Sequence, residues 1–564
     1  MMTSDDRTLV VGAGPTGLTM ACVLTMHGVP CRIIDQAEAR TTTSKAIAVQ
    51  PRSLEVWESL GVLDDALAAG RRLHGANVYS GNKRLVHVGF DGADSPYAFI
   101  LSLPQAESER ILEKRLEALG VRVERRTRLA SISDVDDGVI ATMQSPQGET
   151  RALSPWMIGC DGAHSTVRKL LGVPFEGSKL DEAFVLGDLS IDWALPDDEV
   201  HTFFSPEGLL AAIPLPGERR WRVVADVSQS STTPPAPDLA ALEALITART
   251  GVPLHASDVG WTSGFCIHRR IVPSYRHGRV FLAGDAAHVH SPAGGQGMNT
   301  GMQDAWNLGW KLGLVHHGAG RPSLLDSYSV ERHPIAAATL QGTDLATRVV
   351  TMRSAVTREL RDRIGGFLVN LEPVQQRMIA AATELSLDYR KSPIVSEHRL
   401  PLARHAVIAD RRTEAPSMSD WFDFGAAPAA GDRAPDVEFT DGDSPGAMPR
   451  RLFDVIRGKQ HVALLFDGAA ATAEGYQNLE TIARRIRARY GKHVVVHVVV
   501  PHATAPRALE WDGSLLLDGH RALHRRYGAG SECLYVIRPD GYIGYRSQPA
   551  QVEPVMGYLS TILT

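Results

Sequence analysis

Residues 284–309 read GDAAHVHSPAGGQGMNTGMQDAWNLG. They follow an apolar stretch, RVFLA at 279–283, and run into a helical pattern that ends near Leu312. A strand therefore delivers one acidic residue, Asp285, and a Pro- and Gly-rich loop then delivers a helix N-terminus, where backbone amides have no partner within the helix. That arrangement suits an extended ligand carrying both a polyol and an electron-poor ring. The chain around it has 564 residues, too many for one domain. Hydrophobic residues make up 44% and charged residues 22%, as in soluble globular proteins. A formal charge of −5 gives no reason to expect nucleic acid. The cysteines Cys22, Cys31, Cys160, Cys266 and Cys533 have neither a CxxC nor metal-ligand spacing, so free thiols in a reducing compartment and no metal are expected. The N-terminus enters a strand without a signal-peptide pattern, and no apolar run reaches the ~20 residues of a membrane helix. A cytoplasmic protein with no membrane partner is the expectation.

The other end of such a ligand is legible at the start of the chain. A buried strand, LVV at 9–11, meets Gly12, Gly14, Pro15, Thr16 and Gly17, then an apolar helix closed by Gly28. The next strand, CRII at 31–34, ends on Asp35. This is the dinucleotide fingerprint in its strand–turn–helix context. Gly12 permits the tight turn, Gly14 lets backbone approach a pyrophosphate, and Gly17 lets the helix pack closely on the strand. Asp35 stands where a carboxylate accepts hydrogen bonds from a ribose. The fingerprint alone does not separate FAD from a nicotinamide dinucleotide. Lys45, in the loop at 40–50, is the cation best placed there to reach phosphates, or else a solvated lysine. A second loop, CDGAHSTVR at 160–168, follows a strand at 156–159 and opens a helix at Ser165. Arg168 is expected to anchor Asp161 or to meet a diphosphate, with a loop-fixing ion pair as the structural alternative.

Between these motifs the apolar pattern changes period. Residues 73–101 alternate as antiparallel strands, 106–119 form an amphipathic helix, and 201–227 form a meander of three strands without helical period. Residues 258–272 continue that sheet. Phe203, Phe204, Leu210, Ala212, Ile213 and Trp221 are pocket or core candidates, with Phe203, Ile213 and Trp221 assigned to the pocket. After 340 the pattern is helical to about 400, poor in regular structure over 401–450, and then α/β. Strand 462–466, helix 476–490 and strand 494–500 form a βαβ unit, followed by a hairpin at 534–545. Cys533 stands alone in a strand, so a structural or dimerisation role is expected there rather than redox chemistry.

The motifs GAGPTG (12–17) with Asp35, CDGAHSTVR (160–168) and RVFLAGDAAHVHSPAGGQGMNTGMQDAWNLGWKL (279–312) together resemble the single-component FAD-dependent aromatic hydroxylases of the para-hydroxybenzoate hydroxylase fold. The resemblance covers about the first 340 residues, and the added C-terminal region is similar to the phenol- and polyketide-hydroxylase branch. It implies an α/β fold: a Rossmann-like FAD-binding domain interleaved with an antiparallel-sheet substrate domain, plus a C-terminal thioredoxin-like domain. The parts run 1–72, 102–183 and 273–340 for the FAD domain, 73–101 and 184–272 for the substrate sheet, 341–400 for a helical segment, 401–450 for an arm, and 451–564 for the last domain. By the same resemblance Gly12, Gly14 and Gly17 cradle a non-covalent FAD, Asp35 binds adenosine ribose, and Gln105 and Asp285 bond the ribityl chain. Pro292 lies near the flavin face, and Gly295, Gln296, Gly297, Met298 and Asn299 lie along its pyrimidine edge. Asp161 and Arg168 serve FAD and the nicotinamide donor. Lys45 departs from the arginine common in relatives and loses the bidentate fork.

What the resemblance implies chemically is hydride from NADH or NADPH bound transiently, addition of molecular oxygen at flavin C4a, and transfer of the distal oxygen of that hydroperoxide to an aromatic substrate. The dipole of the helix after 295 favours the negative charge of reduced flavin. An apolar roof keeps water out. A phenol must also lose its proton; His201, His268, His288 and His290 are placed for this, and none is assigned. A reductase or Baeyer–Villiger-type oxygenase on the same fold, or a flavin-bound sensor or sequestering protein without turnover, are the alternatives. A small aromatic substrate and a homodimer complete the expectations.

Overall fold

A computed structural model describes residues 2–81, 83–227, 233–290, 295–350, 372–401, 417–442, 448–468 and 473–564. The chain divides into two compact units, Met1–Trp306 with Arg332–Leu385, and Asn307–Glu331 with Ser386–Thr564.

The first unit is built on a parallel sheet whose strands lie in the order Val280–Leu282, Met157–Gly159, Thr8–Val11, Cys31–Ile34 and Val123–Glu124, with Arg276–His277 as an antiparallel edge. Thr8–Val11, Met157–Gly159 and Val280–Leu282 are buried at every residue, as strands covered on both faces must be. Val11 pairs with Ile34 and Gly159, and Gly159 pairs with Leu282. Four strands therefore end level, and the turns at 12, 35, 160 and 283 leave the sheet side by side. A ligand of an open α/β sheet binds at this carboxyl edge.

An eight-stranded sheet interleaves with it, in the order His288–Val289, Ala256–Ile271, Glu176–Ile191, Arg220–Val227, Gly208–Pro214, Glu199–Ser205, Gly75–Ser80 and Lys83–Gly89. The meander and the strands after residue 73 thus belong to one sheet. Side chains alternate between its faces. Leu189, Phe203, Leu210, Ala212, Trp221 and Val223 point to one face and pack on Leu242 and Ile246 of the helix Leu239–Thr250. That helix lies inside 184–272, a region its sequence suggests is sheet alone.

The alternation corrects the pocket assignment. Phe203 and Trp221, 4% and 2% exposed, lie on the face that the helix Leu239–Thr250 covers. Phe203 stacks on Tyr79 with ring centroids 4.6 Å apart, and Trp221 meets Trp193 edge-on at 5.2 Å. Phe203 and Trp221 are core, as are Leu210 and Ala212, whereas Ile213 is half-buried on the opposite face.

The second unit holds a six-stranded sheet ordered Ser396–Arg399, Ile543–Gln548, Cys533–Ile537, His461–Phe466, Val494–Val500 and Ser514–Leu517. The expected βαβ unit is present, with His461–Phe466 parallel to Val494–Val500. Leu479, Ile482, Ile486, Val555 and Leu559 cover one face, and Phe424, Phe453, Leu523 and Tyr527 the other. Two regions hold more structure than their composition suggests. Ser396–Arg399 is a strand, and Met418–Ala426 is a helix closed by a Ser417–Asp420 capping box. Residues 351–371, 402–416 and 443–447 of the expected helical segment and arm lie outside the described residues. The five cysteines are free, and burial pushes the Cys22 thiol up to about 12.

The assignment of Trp221 to the helix-covered core has a measurable consequence. Trp221→Ala should destabilise the flavin-free protein by about 3–5 kcal/mol, whereas Ile213→Ala should cost well under half of that. Equal melting temperatures for the two variants would contradict the face assignment.

Candidate active site

At the carboxyl edge of the parallel sheet the turns approach one another so closely that side chains are excluded. Gly12 has φ +103°, a left-handed conformation, and a Cβ there would strike the carbonyl of Cys160. A Cβ on Gly17 would enter the carbonyl of Gly12, which draws the helix Pro15–Met26 onto its strand. Thr16 sits in the remaining gap. A Cβ on Gly284 would lie 2.6 Å from Thr16 Oγ1, and one on Gly301 would also collide with that hydroxyl. The fingerprint at 12–17 and the motif at 284–301 are therefore packed directly on each other.

Gly14 behaves differently: a Cβ built on it meets nothing within 4 Å. Gly14 is also the N-cap of Pro15–Met26, and no side chain caps the first-turn amides. Asp35 closes this end of the site, accepting hydrogen bonds from Ala13 N and Ala37 N, both at 2.7 Å. Gln105 is half-buried, accepts from Ala46 N at 3.4 Å and donates to Glu109 at 2.9 Å. Lys45 is exposed.

At the other end Gly284–Ala286 is a turn of 3-10 helix that presents Asp285 to solvent. The carboxylate that holds this turn is a different one, Asp304, fully buried on the helix Gly297–His316. It accepts from Gly284 N at 3.0 Å, His288 Nε2 at 2.8 Å and Arg332 Nε at 2.7 Å. Burial acts to raise the Asp304 pKa, but the charges of Arg332 and His288 overcome it and hold the carboxyl below its ordinary range. Nothing in the motif singles Asp304 out, since Thr300, Gln303, Asn307 and Lys311 are buried polar residues of the same helix.

The start of the same helix, here called the ring-edge helix, is stapled to the strand Ala48–Val49. Asn299 Oδ1 accepts from Gln50 N at 3.0 Å, and its Nδ2 donates to Ala48 O and Gly295 O, each at 2.9 Å. The side-chain amide of Asn299 is thus consumed by backbone, and only its main chain is left to meet a ligand. Gln296 Nε2 donates to Ala381 O at 3.0 Å. Gly297 and Met298 are half-buried in the first turn. Pro292 lies outside the described residues.

Asp161 caps the helix Thr166–Leu170, accepting from Ser165 Oγ at 2.5 Å, Thr166 N at 2.6 Å and Val167 N at 3.1 Å. Burial raises its pKa. The Arg168 guanidinium does not pair with Asp161: it donates to Ala163 O at 2.8 Å and Ala286 O at 2.9 Å, and lies 3.8 Å from the Phe175 ring centroid. It ties the 160–168 loop to the Asp285 turn.

Of the four histidines, His201 is buried in the sheet, with Nε2 2.8 Å from Pro196 O and Nδ1 3.1 Å from Tyr79 Oη. His288 is committed to Asp304, and His268 is exposed. His290 stands beside the ring-edge helix, its Nε2 3.6 Å from the position of a Cβ on Gly297.

The eight-stranded sheet turns its second face toward this region. Arg222 is 1% exposed, donates to both oxygens of Asp188 at 2.6 and 2.7 Å, and reaches Lys45 O at 3.1 Å. Ile213 pairs with Arg222, Arg222 with Asp188, and Asp188 with Trp261, so these four form one row across the sheet. The next row on this face is Ala211, Val224, Leu186 and Ser263, and beyond it Phe184 stacks on Phe265 at 5.8 Å. No sequence motif marks Leu186, Val224, Trp261 and Phe265; the strand registers place them on this face.

The residues fit FAD. Uncapped amides and an open Gly14 suit a pyrophosphate, Asp35 and Asp285 suit hydroxyls at two ends, and an amide-rich helix start suits an anionic ring edge. Comparison with known proteins agrees. A family model described as FAD binding domain matches residues 5–343. The chain is 33% identical over 555 residues to 6-methylpretetramide 4-monooxygenase from Streptomyces rimosus, covering 96% of this chain and 91% of that protein. It is 32% identical to pentachlorophenol 4-monooxygenase from Sphingobium chlorophenolicum, covering 96% and 94%. Among solved structures, anhydrotetracycline hydroxylase from Streptomyces rimosus superposes with a TM-score of 0.74 at 26% identity, over 100% of this chain and 99% of that one.

Gly14 and Gly17 should separate binding from folding. Gly14→Ala is expected to leave the melting temperature of the flavin-free protein unchanged while weakening FAD about tenfold or more, roughly 1.4 kcal/mol. Gly17→Ala should lower the melting temperature. An identical response from the two would show that neither turn is shaped for a ligand.

Proposed function

The chain belongs to the FAD-dependent aromatic hydroxylases, and from that membership we propose how its residues divide the work of binding FAD and a fused-ring phenol. It is a monooxygenase that uses NADH or NADPH and molecular oxygen to hydroxylate a phenolic or polycyclic aromatic compound. The bound FAD supplies the redox chemistry, with electrons from the nicotinamide donor and one oxygen atom from O2 going to the aromatic ring. Gly12, Gly14, Pro15, Thr16 and Gly17 hold the pyrophosphate, Asp35 the adenosine ribose, and Gln105 and Asp285 the ribityl hydroxyls. The amides of Gly295, Gly297, Met298 and Asn299 hold the ring edge. Arg168 and Asp161 shape the loop beside Asp285 rather than touch the reacting atoms.

The observation that carries the substrate reading is the second face of the eight-stranded sheet. Leu186, Ala211, Ile213, Val224, Trp261 and the Phe184–Phe265 stack extend over four adjacent strands. Strands lie about 4.8 Å apart, so this apolar face is wide enough for several fused rings, and it excludes water from the reacting centre. The Arg222–Asp188 pair fixes it over the segment at 45–50. Cys533 is buried in a strand, and burial pushes its thiol well up, so the C-terminal thioredoxin-like region serves as a structural or dimerising module rather than in thiol exchange.

Reconstituted enzyme given a reduced nicotinamide, labelled O2 and a panel of one-ring and fused-ring phenols tests this. One labelled oxygen atom should appear in a fused-ring product. Nicotinamide consumption without label in the product would point to a reductase, and ligand binding without consumption to a sequestering protein. Val224→Phe, which fills the apolar face, should cut kcat/KM for fused-ring substrates relative to one-ring phenols by at least tenfold, within the ~1–3 kcal/mol that pocket size differences are worth. Unaltered selectivity would remove this face from the substrate site.

A further inference from the structure

The segment closing the helix Glu372–Thr383 ends against the ring-edge helix. Gln296 donates to Ala381 O, and about two turns further along Gln303 Nε2 donates to Glu384 Oε2. Glu384 is 5% exposed and has φ +56°, a left-handed conformation that residues with a Cβ seldom adopt unless their surroundings hold them there.

A buried carboxylate normally takes a cation or several donors. Among the described residues the charged groups facing Glu384 are Arg52 with its partner Glu55 on the helix Pro51–Leu60, Asp304 on the ring-edge helix, and Arg332 on the helix Asp326–Val350. Arg332 donates to Asp304 Oδ1 and to Thr300 O, and Arg52 to Glu55 Oε2 at 2.8 Å. Among the described residues the hydrogen bond from Gln303 is the one that Glu384 receives. Gln303 has the converse defect: its Oε1 is buried and receives no donor. Both defects vanish together when Glu384 carries a proton. The acid O–H then donates to Gln303 Oε1 while Gln303 Nε2–H donates to the other carboxyl oxygen, closing a two-bond ring.

We propose that Glu384 is a positioning residue, which in its protonated form pairs with Gln303 and so fixes the 381–384 segment against the start of the ring-edge helix. The proposal rests on the assignment of that helix start to the flavin. Burial pushes the Glu384 carboxyl up to about 8, further helped by Asp304 and only partly opposed by Arg332, Gln303 and Arg52. The sign follows. Below that pH the acid–amide pair is intact and FAD affinity is level. Above it the proton leaves to solvent, two oxygens face each other across the pair, and affinity falls.

Two measurements on the full chain test this. On flavin-free protein, infrared difference spectra between about pH 7 and about pH 9.5 should contain the C=O stretch of a buried protonated carboxyl. That band should be absent in Glu384→Gln and shifted in Gln303→Met, which deletes the amide and covers failure of the first variant to fold. FAD titrations over the same range should weaken about tenfold or more in the wild type. They should stay level in Glu384→Gln, whose amide keeps both hydrogen bonds without a titrating proton. A missing band, or parallel titration curves for wild type and Glu384→Gln, overturns the proposal. A wild-type protein that binds no FAD at any pH fails the flavin assignment itself, and the infrared band then overturns or upholds the acid–amide pair separately.

Discussion

The first unit depends on one steric constraint, the seating of Thr16 between Gly284 and Gly301. Neither glycine position has room for a methyl group beside the Thr16 side chain. The contact is made between a helix start near the beginning of the chain and a turn and helix in its middle. It fixes how far apart the two ends of a cofactor site can be, and interiors packed to crystalline density have no slack to absorb an extra atom. Asp304 then locks the turn from below through Gly284 N, and Arg168 locks it from the side through Ala286 O. Steric exclusion sets the distance and hydrogen bonds to main chain set the orientation.

These locks rely on buried charge, which stabilises only when complete. Asp304 has its three donors, Gly284 N, His288 and Arg332, and its net pKa is lowered despite complete burial. The second unit repeats the device independently: Glu331 accepts from Lys311 at 2.6 Å, Asn307 at 2.7 Å, Ser392 at 2.6 Å and Arg538 at 2.7 and 2.9 Å. Burial opposes its ionisation, but Arg538 and Lys311 prevail and its carboxyl stays well below the usual range. Removing one member of such a set costs about 3–5 kcal/mol because the remaining charge is left without compensation. The role of these clusters is therefore to define one arrangement of the helices that carry them rather than to add net stability.

How far the site was legible in the sequence follows from the range of the interactions. Gly12, Gly17 and Asp35 act within a single strand–turn–helix unit, so spacing alone places them, and the structure puts all three at one sheet edge. The sheet face was not legible. Phe203 and Trp221 look like pocket residues because they are large and aromatic, but which face they take depends on the helix Leu239–Thr250, which a Pro-rich stretch before it obscures. The long strands Glu176–Ile191 and Ala256–Ile271 lack clean alternation: the first is buried at consecutive residues over 183–187, the second is exposed at consecutive residues over 257–260, and register slips occur between Lys179 and Ala183 and between Asp188 and Ser190. Asn299 and Arg168 are in the expected motifs, but their polar atoms go to backbone partners distant in sequence, Ala48, Gln50 and Ala286. Asp304 and Glu384 could not be found by motif, because a buried acid is recognisable only by what surrounds it.

The site thus has two kinds of wall with different tolerance to change. The cofactor wall is made of turns whose glycines collide with neighbouring backbone or with Thr16, and of side chains whose hydrogen bonds end on main chain; a substitution there moves the backbone. The proposed substrate wall is a sheet face of side chains at Leu186, Ala211, Ile213, Val224, Trp261 and Phe265, supported by its own hydrogen-bond ladder and by a separate core on the reverse side. Exchanging one of these leaves the ladder and the Phe203–Trp221 core intact. Arg222 ties the sheet face to the segment before Ala48, through Asp188 and Lys45 O, and the pairing of Ile271 with His288 ties it to the Asp285 turn. A fold arranged in this way can alter its aromatic substrate by changes on one sheet face without disturbing the cofactor geometry.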